Sequence, residues 1–257
     1  MKKVISILGC GWLGEPLAKK LIETGYVIKG STTTPDKIDR LASLGIKTFL
    51  IDLDVLDDSI GDFLDSEILI IAIPSKNKDS FRKLIFQIER SRIQKIIFIS
   101  STSVYENSNN IVTEVSSVKD TSLVEIENLF KINRHFQTNV IRFAGLMGYD
   151  RKPGNFFPVG KKIPNPDGYV NMIHRDDCIG IITKIIKKEI WDETFNACAD
   201  THPTRREFYT SAAIELGKDR PKFEESNLSE YKIVSNQKLK TILDYQFKYP
   251  NILNIIE

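Results

Sequence analysis

Six residues near the amino terminus, Gly9-Cys10-Gly11-Trp12-Leu13-Gly14, have the spacing GxGxxG. An apolar run, Val4 to Leu8, precedes them, and a segment with Leu13, Leu17, Ala18, Leu21 and Ile22 at helical spacing follows. A glycine string between a strand and a helix can hold a pyrophosphate. Gly9 permits the tight turn, Gly11 lets a phosphate approach a backbone without a Cβ, and Gly14 lets the helix pack against the strand. The helix terminus then offers unpaired N–H groups and partial positive charge to an anion. Trp12 and Leu13 supply two of those groups. The bland alternative is a tight turn with no ligand. A protein-kinase glycine loop shares the spacing, and His174-Arg175-Asp176 resembles part of a kinase catalytic loop. The required Asn is replaced by Ile181 and no Asp-Phe-Gly occurs.

The next chemistry lies about twenty residues on, where an NAD-binding turn places an acid for the ribose 2′-hydroxyl. Here the segment reads Gly30-Ser31-Thr32-Thr33-Thr34-Pro35-Asp36-Lys37. The strand end has hydroxyls and no acid. Ser31, Thr32 and Lys37 suit a 2′-phosphate, so NADP is expected over NAD, with NAD still open. His174 opens a helix whose first turn carries Asp176 and Asp177, which suit the positive end of the helix dipole. It either anchors that turn or serves as an acid/base. Arg142 either binds an anionic substrate or pairs with a carboxylate. Lys161 and Lys162 lie in a Pro- and Gly-rich loop and read first as solvated cations.

These residues need a scaffold, and the pattern supplies one. Short apolar runs at Val4–Leu8, Tyr26–Gly30, Thr48–Ile51, Ile68–Ile73, Lys95–Ile99 and Val140–Phe143 alternate with helical patterns over Trp12–Thr24, Pro35–Ser43, Asp79–Arg90 and Thr121–Asn133. Such alternation predicts right-handed crossovers and a Rossmann-type, doubly wound parallel sheet of the α/β class. After about Gly145 the periodicity weakens. Helices are predicted at Asp176–Lys188 and Thr204–Leu216 with a strand at Thr194–Asn196. Residues 1–147 are therefore expected to form a dinucleotide-binding domain. Residues 148–257 are expected to form a small carboxy-terminal cap that borrows the sheet for its core.

Composition narrows the function. In 257 residues, Lys plus Arg is 36 and Asp plus Glu is 34. That balance lacks the basic excess of a nucleic-acid binder. Apolar stretches fall short of the ~18 residues of a membrane span. Cys10, Cys178 and Cys198 are widely spaced, and the three histidines, His135, His174 and His202, have no paired spacing. A reducing, cytoplasmic setting and no metal site are expected.

Further segments carry a resemblance. They are Ile51-Asp52-Leu53; Ser100-Ser101-Thr102-Ser103-Val104-Tyr105; Val140-Ile141-Arg142-Phe143-Ala144-Gly145; Ile173-His174-Arg175-Asp176-Asp177; and Phe195-Asn196. With the glycine motif they make the chain similar, over nearly its whole length, to the extended and atypical short-chain dehydrogenase/reductases, the NAD-dependent epimerase/dehydratase group. The resemblance implies that Asp52 and Leu53 lie by the adenine, Ala72, Ile73 and Pro74 flank the adenosine ribose, and Ser100 and Ser101 lie by the nicotinamide. It places Ser101 at the family's catalytic Ser/Thr position. The family's redox members also use Tyr-x-x-x-Lys. None of the eight tyrosines here is followed four residues later by lysine. Ser101 without that partner is a weak general acid at pH 7. Tyr105 and His174 are the remaining candidates for its work, although Tyr105 by resemblance more often packs. The expected protein is thus an NAD(P)-binding epimerase/dehydratase-like enzyme with an altered catalytic centre, monomeric or homodimeric. Its expected substrate is a small molecule, such as a nucleotide sugar or another carbonyl compound. The rival expectation is a non-catalytic NADP-sensing regulator.

Overall fold

Ile68–Ile71 is buried along its whole length, and Val4–Leu8 nearly so. A strand enclosed on both faces is the mark of a sheet covered by helices on either side. The computed structural model describes residues 3–56, 60–158, 160–225 and 229–254. In chain order its elements are β1 (Val4–Leu8), α1 (Gly14–Glu23), β2 (Val27–Thr32), α2 (Ile38–Ser43), β3 (Lys47–Leu50), α3 (Gly61–Leu64), β4 (Ile68–Ile71), α4 (Lys78–Glu89), β5 (Lys95–Ser101), β6 (Ile111–Val112), α5 (Ser122–Lys131), β7 (Gln137–Phe143), β8 (Gly145–Met147), β9 (Met172–His174), α6 (Arg175–Lys188), β10 (Thr194–Ala197), α7 (Arg205–Glu215), β11 (Ile233–Val234) and α8 (Gln237–Leu243).

A seven-stranded sheet has the order β10-β7-β5-β4-β1-β2-β3. β1 pairs in parallel with both β2 and β4, so the winding reverses between β1 and β4. Open α/β sheets bind ligands at such a switch point, outside the carboxyl ends of the strands. The Rossmann-type fold expected from the alternation is the fold observed. β2 runs to Thr32 because its pairing with β3 continues to Thr32 opposite Leu50. α1 begins at Gly14, two residues later than its periodicity suggests, because Gly9 to Leu13 form the turn.

The chain divides into two compact units, each drawn from three stretches, so no single cut at 147/148 separates them. The first holds Met1–Ser100, Asp120–Ile141 and Ile182–Thr194; the second holds Ser101–Lys119, Arg142–Ile181 and Phe195–Glu257. The first unit contains a core cluster rich in Leu, Ile and Phe, in which Phe81, Phe98 and Phe130 meet at centroid distances of 5.2 to 5.9 Å. Offset and edge-on aromatic contacts of this kind add to area burial.

The second unit has an apolar cluster of its own, including Met147, Ile163, Val170, Met172, Phe208 and Tyr209. Its short strands pair in parallel, β6 with β11 and β8 with β9. They are two or three residues long, too short for periodicity to reveal. α7 starts with a reciprocal capping box between Thr204 and Glu207. Among the described residues no helix is long and apolar enough to cross a membrane, and no group of three potential metal ligands occurs.

Candidate functional site

In the first unit the loops after β1, β2, β3 and β4 surround a cavity of about 460 Å3. Its lining brings together Gly9, Gly11, Ser31, Thr32, Lys37, Asp52, Leu53, Ala72, Ile73 and Pro74 from the expected set. Trp12, Leu13, Gly14 and Ser100 are not in its wall. Cys10, Thr33, Thr34, Ile51, Asp54 and Ser75 also line it and were not anticipated. Thr33 and Thr34 carried a signal, since they continue the hydroxyl run. Asp54 carried none: Asn77 Nδ2 and Ser80 Oγ, distant along the chain, both donate to its Oδ1, at 2.9 and 2.8 Å.

The three motif glycines are required for different reasons. Gly9 has φ +102°, in the left-handed region that favours glycine, and a Cβ there would lie 2.8 Å from the Ala72 carbonyl oxygen. A Cβ on Gly14 would overlap the carbonyl oxygen of Gly9. Gly11 differs: no described atom lies within 4 Å of where its Cβ would stand. The fold therefore needs glycine at positions 9 and 14 but not at 11, where a ligand approaching the backbone would need it.

The turn is held by hydrogen bonds that reassign Ser31. Its Oγ accepts the Gly9 amide at 2.9 Å and its carbonyl accepts the Cys10 amide at 2.7 Å. Ser31 is 1 % exposed, so its hydroxyl braces the turn from below. Thr32 Oγ1 accepts the Thr34 amide at 3.1 Å. Of the expected phosphate contacts, Lys37 is the cation in the wall. Arg40, the next cation along, is paired with Glu15 of α1. The α1 amino terminus has no side-chain cap; the Glu15 amide donates to Gly11 O at 3.1 Å, and Pro16 carries no amide N–H, so the amides before Glu15 are the ones that can face an anion. Cys10 is enclosed, and burial, aided by the charge of Glu15, pushes its thiol up to about 12. It is a packed neutral thiol. Asp52 Oδ1 accepts the Asp54 amide at 3.0 Å, and Leu53 beside it is part of the core. These glycines, uncapped amides, hydroxyls and Lys37 fit a dinucleotide.

Ser100, at the end of β5, donates to Glu127 Oε1 at 2.5 Å, and Glu127 is fully buried on α5. α5 is the helix on which the family's Tyr-x-x-x-Lys belongs. Its inward face here carries Val124, Ile126, Glu127 and Phe130.

In the second unit Ser101 Oγ accepts the Ser103 amide at 3.1 Å, capping the short turn Thr102–Val104. Tyr105 follows that turn and is 0 % exposed. Its hydroxyl accepts from Arg142 Nη1 at 2.7 Å and donates to Asn196 Oδ1 at 2.8 Å. Burial raises the phenol's pKa, against the pull of the guanidinium. A cation beside a tyrosine hydroxyl is what the missing lysine would have supplied, yet this phenol reaches no solvent. Glu114 Oε1 accepts the Asn196 amide at 2.8 Å, so Glu114 is a brace within the same nest.

His174 is likewise fully buried, with its Nδ1 accepting the Asp176 amide at 3.2 Å and its ring 3.9 Å from that of Tyr249. A Cβ on Gly148 would overlap the imidazole. Asp177 accepts Tyr245 Oη and the Lys248 and Tyr249 amides at 2.7 to 3.0 Å. Enclosure argues against the acid/base work expected of Tyr105 and His174, because such a group must come within hydrogen-bond reach of its substrate. Of the three catalytic candidates, only Ser101 is partly exposed.

Comparison with known proteins agrees with this architecture. Residues 4–125 match the model of the NAD binding domain of 6-phosphogluconate dehydrogenase. Among solved structures, a functionally unknown conserved protein from Silicibacter pomeroyi superposes with TM-score 0.83 at 22% identity, covering 98% of this chain and 96% of that one. A short-chain dehydrogenase/reductase superfamily protein from Agrobacterium tumefaciens, with bound NAD, gives 0.79 at 14% identity over 97% and 94%. The dTDP-glucose 4,6-dehydratase of Bacillus anthracis, in complex with NAD, gives 0.76 at 14% over 98% and 94%. At these identities the likeness is one of fold, and it is the fold of the short-chain dehydrogenase/reductases. Protein YeeZ of Escherichia coli is 33% identical over 271 aligned positions, covering 98% of each chain. The chain belongs to the YeeZ family.

Proposed function

We propose that the protein binds NADP at the cavity outside β1 to β4, and that it is an atypical epimerase/dehydratase-like enzyme for a nucleotide sugar or another small carbonyl compound. The observation that carries the cofactor reading is Gly11, a glycine with open space where its Cβ would stand, between two glycines that packing itself demands. The lack of an acid at the end of β2, the hydroxyl run and Lys37 favour NADP over NAD. The dTDP-glucose dehydratase in the comparison favours a nucleotide sugar as substrate. When bound, the cofactor supplies hydride transfer at its nicotinamide. The chain's own part is then to hold the pyrophosphate on the α1 amides, to seat the adenosine against Asp52 and Ala72–Pro74, and to offer Ser101 as a hydrogen-bonding contact. Tyr105 and His174, both enclosed, serve as struts in their own hydrogen-bonded nests.

The absent dyad and the enclosure of Tyr105 and His174 favour a second reading, an NADP sensor without turnover. Incubation with NADPH and a panel of sugar nucleotides and ketones, followed at 340 nm, separates the two for redox chemistry. Oxidation of NADPH that Ser101→Ala abolishes supports the enzyme. Tight binding without turnover supports the sensor. A larger thermal shift with NADH than with NADPH would overturn the cofactor preference.

A further inference from the structure

The second unit contains a cavity of about 540 Å3 between α7, the segment Gly217–Lys222 and residues 153–158 and 160–163. That volume is within the ~300–1,000 Å3 range of small-molecule sites. Its shape follows from how α7 ends. The Gly217 amide donates to Ile214 O and the Lys218 amide to Ala213 O, a Schellman closure with Gly217 at φ +65°. The chain then doubles back past the helix. Lys218 ties it to the facing loop by donating to Gly154 O at 3.1 Å and to Asn155 Oδ1. The two segments are thus held apart at a set distance.

One wall is apolar and aromatic. Phe157 meets Tyr209 edge-on at 4.9 Å, with Ile163 and Ala213 beside them. Tyr209 is 8 % exposed, and its hydroxyl has no hydrogen-bond partner among the described residues. Burial raises the phenol's pKa, so it stays a protonated donor. The rim is one-sided in charge. Lys161, Arg220 and Lys222 stand on it, exposed and without an ion-pair partner among the described residues, against the single acid Asp219. Across the whole chain cations and anions are nearly equal, 36 to 34. Solvated lysines alone would account for the rim, but not for the aromatic wall of Phe157 and Tyr209 beside it.

We propose that this cavity binds a small anion with a planar apolar ring, of the class of aryl phosphates and aromatic carboxylates, its ring against Phe157 and Tyr209 and its charge toward Arg220 and Lys222. The proposal is independent of the dinucleotide reading, since every residue it uses lies in the second unit and none lines the glycine-turn cavity. The ring supplies apolar burial, Tyr209 donates to the ligand, and the cations give salt-sensitive attraction.

Isothermal titration with phenyl phosphate, inorganic phosphate and benzyl alcohol tests it, with NADPH titrated in parallel. Phenyl phosphate is expected to saturate a single site with a Kd at least tenfold below that of either fragment. The double variant Arg220→Glu/Lys222→Glu is expected to weaken it at least tenfold, and Tyr209→Phe several-fold. Both variants are expected to keep the wild-type thermal midpoint and NADPH affinity. Equal affinity for phosphate and phenyl phosphate, no saturable binding, or binding indifferent to the charge reversal would each overturn the proposal. Ala213→Trp, which fills the cavity, gives a second route: unchanged phenyl phosphate binding by a folded variant would also refute it.

Discussion

Two cavities in this protein suit anions, and they do so by opposite means. The one outside β1 to β4 presents backbone: Gly9 and the open Gly11 of the turn, with Ser31 bracing it from beneath. The one beside α7 presents side chains: Lys161, Arg220 and Lys222 around an aromatic wall. A backbone site depends on conformation, so a change in one Cβ can destroy it. A side-chain site depends on summed charge, so single changes should weaken it in steps and salt should screen it.

The largest expected effect is at Gly14. Its alanine variant places a Cβ on the Gly9 carbonyl, and neither backbone can yield without disturbing both β1 and α1. Gly14→Ala should lose about 3 kcal/mol of stability in urea unfolding. A loss under about 0.5 kcal/mol would mean that the turn is softer than this contrast requires.

Gly11→Asp sharpens the same point from the other side. Its Cβ meets no described atom within 4 Å, so stability should stay within about 0.5 kcal/mol of the parent. Dinucleotide affinity should fall about a hundredfold, some 2.7 kcal/mol, through clash and repulsion at the pyrophosphate. Undiminished NADPH binding in a fluorescence titration would remove the cofactor site from this cavity.

Next comes the enclosed nest of the second unit. Arg142→Met removes the donor to Tyr105 while keeping most of the buried volume. About 2 kcal/mol of destabilisation is expected, since a buried phenol loses a charge-assisted partner. Tyr105→Phe should lose slightly less. An unchanged unfolding midpoint in both variants would show that the nest is not a strut.

The smallest effect tests an exposed network in the first unit. Glu189 accepts from Lys3 at 2.8 Å, from Lys95 and from Trp191 Nε1 at 3.0 Å, and these bonds lower its carboxyl to about 2 from an ordinary 4.5. The stabilisation is complete above pH 4.5 and is lost as the pH falls toward 2. Its side chain is 40% exposed, so the gain should stay under about 1 kcal/mol and shrink with salt. In Glu189→Gln that slope between pH 4.5 and 2 should flatten; an unchanged slope would assign it to other carboxylates.

How much of this was legible follows from the same physics. The glycine turn could be read because its residues are contiguous and their spacing is their function. The long buried strands could be read because burial on both faces demands unbroken apolar runs, as in Ile68–Ile71. Ser31 was legible as a hydroxyl near the cofactor, but not as the brace of Gly9, a contact 22 positions away along the chain. Tyr105 and His174 were legible as chemistry-bearing residues with a structural alternative each, packing for Tyr105 and anchoring the turn for His174, but not with the partners that enclose them. A tyrosine's type says nothing of whether an Arg142 or an Asn196 will meet it from another strand. The cavity beside α7 left no trace, because Phe157, Tyr209 and Arg220 come from three separated segments and are each unremarkable alone.

The sequence by itself determined the class of sheet, the place of the switch-point turn and the absence of the Tyr-x-x-x-Lys pair. Each of these is a matter of local spacing, which folding cannot alter. Only the tertiary structure decided which side chains face a cavity and which are enclosed. It left Gly11 open while packing Gly9 and Gly14, closed Tyr105 and His174 into hydrogen-bonded nests, and set Phe157 and Tyr209 beside a basic rim. Exposure depends on neighbours that are distant along the chain, and only the folded protein brings them together.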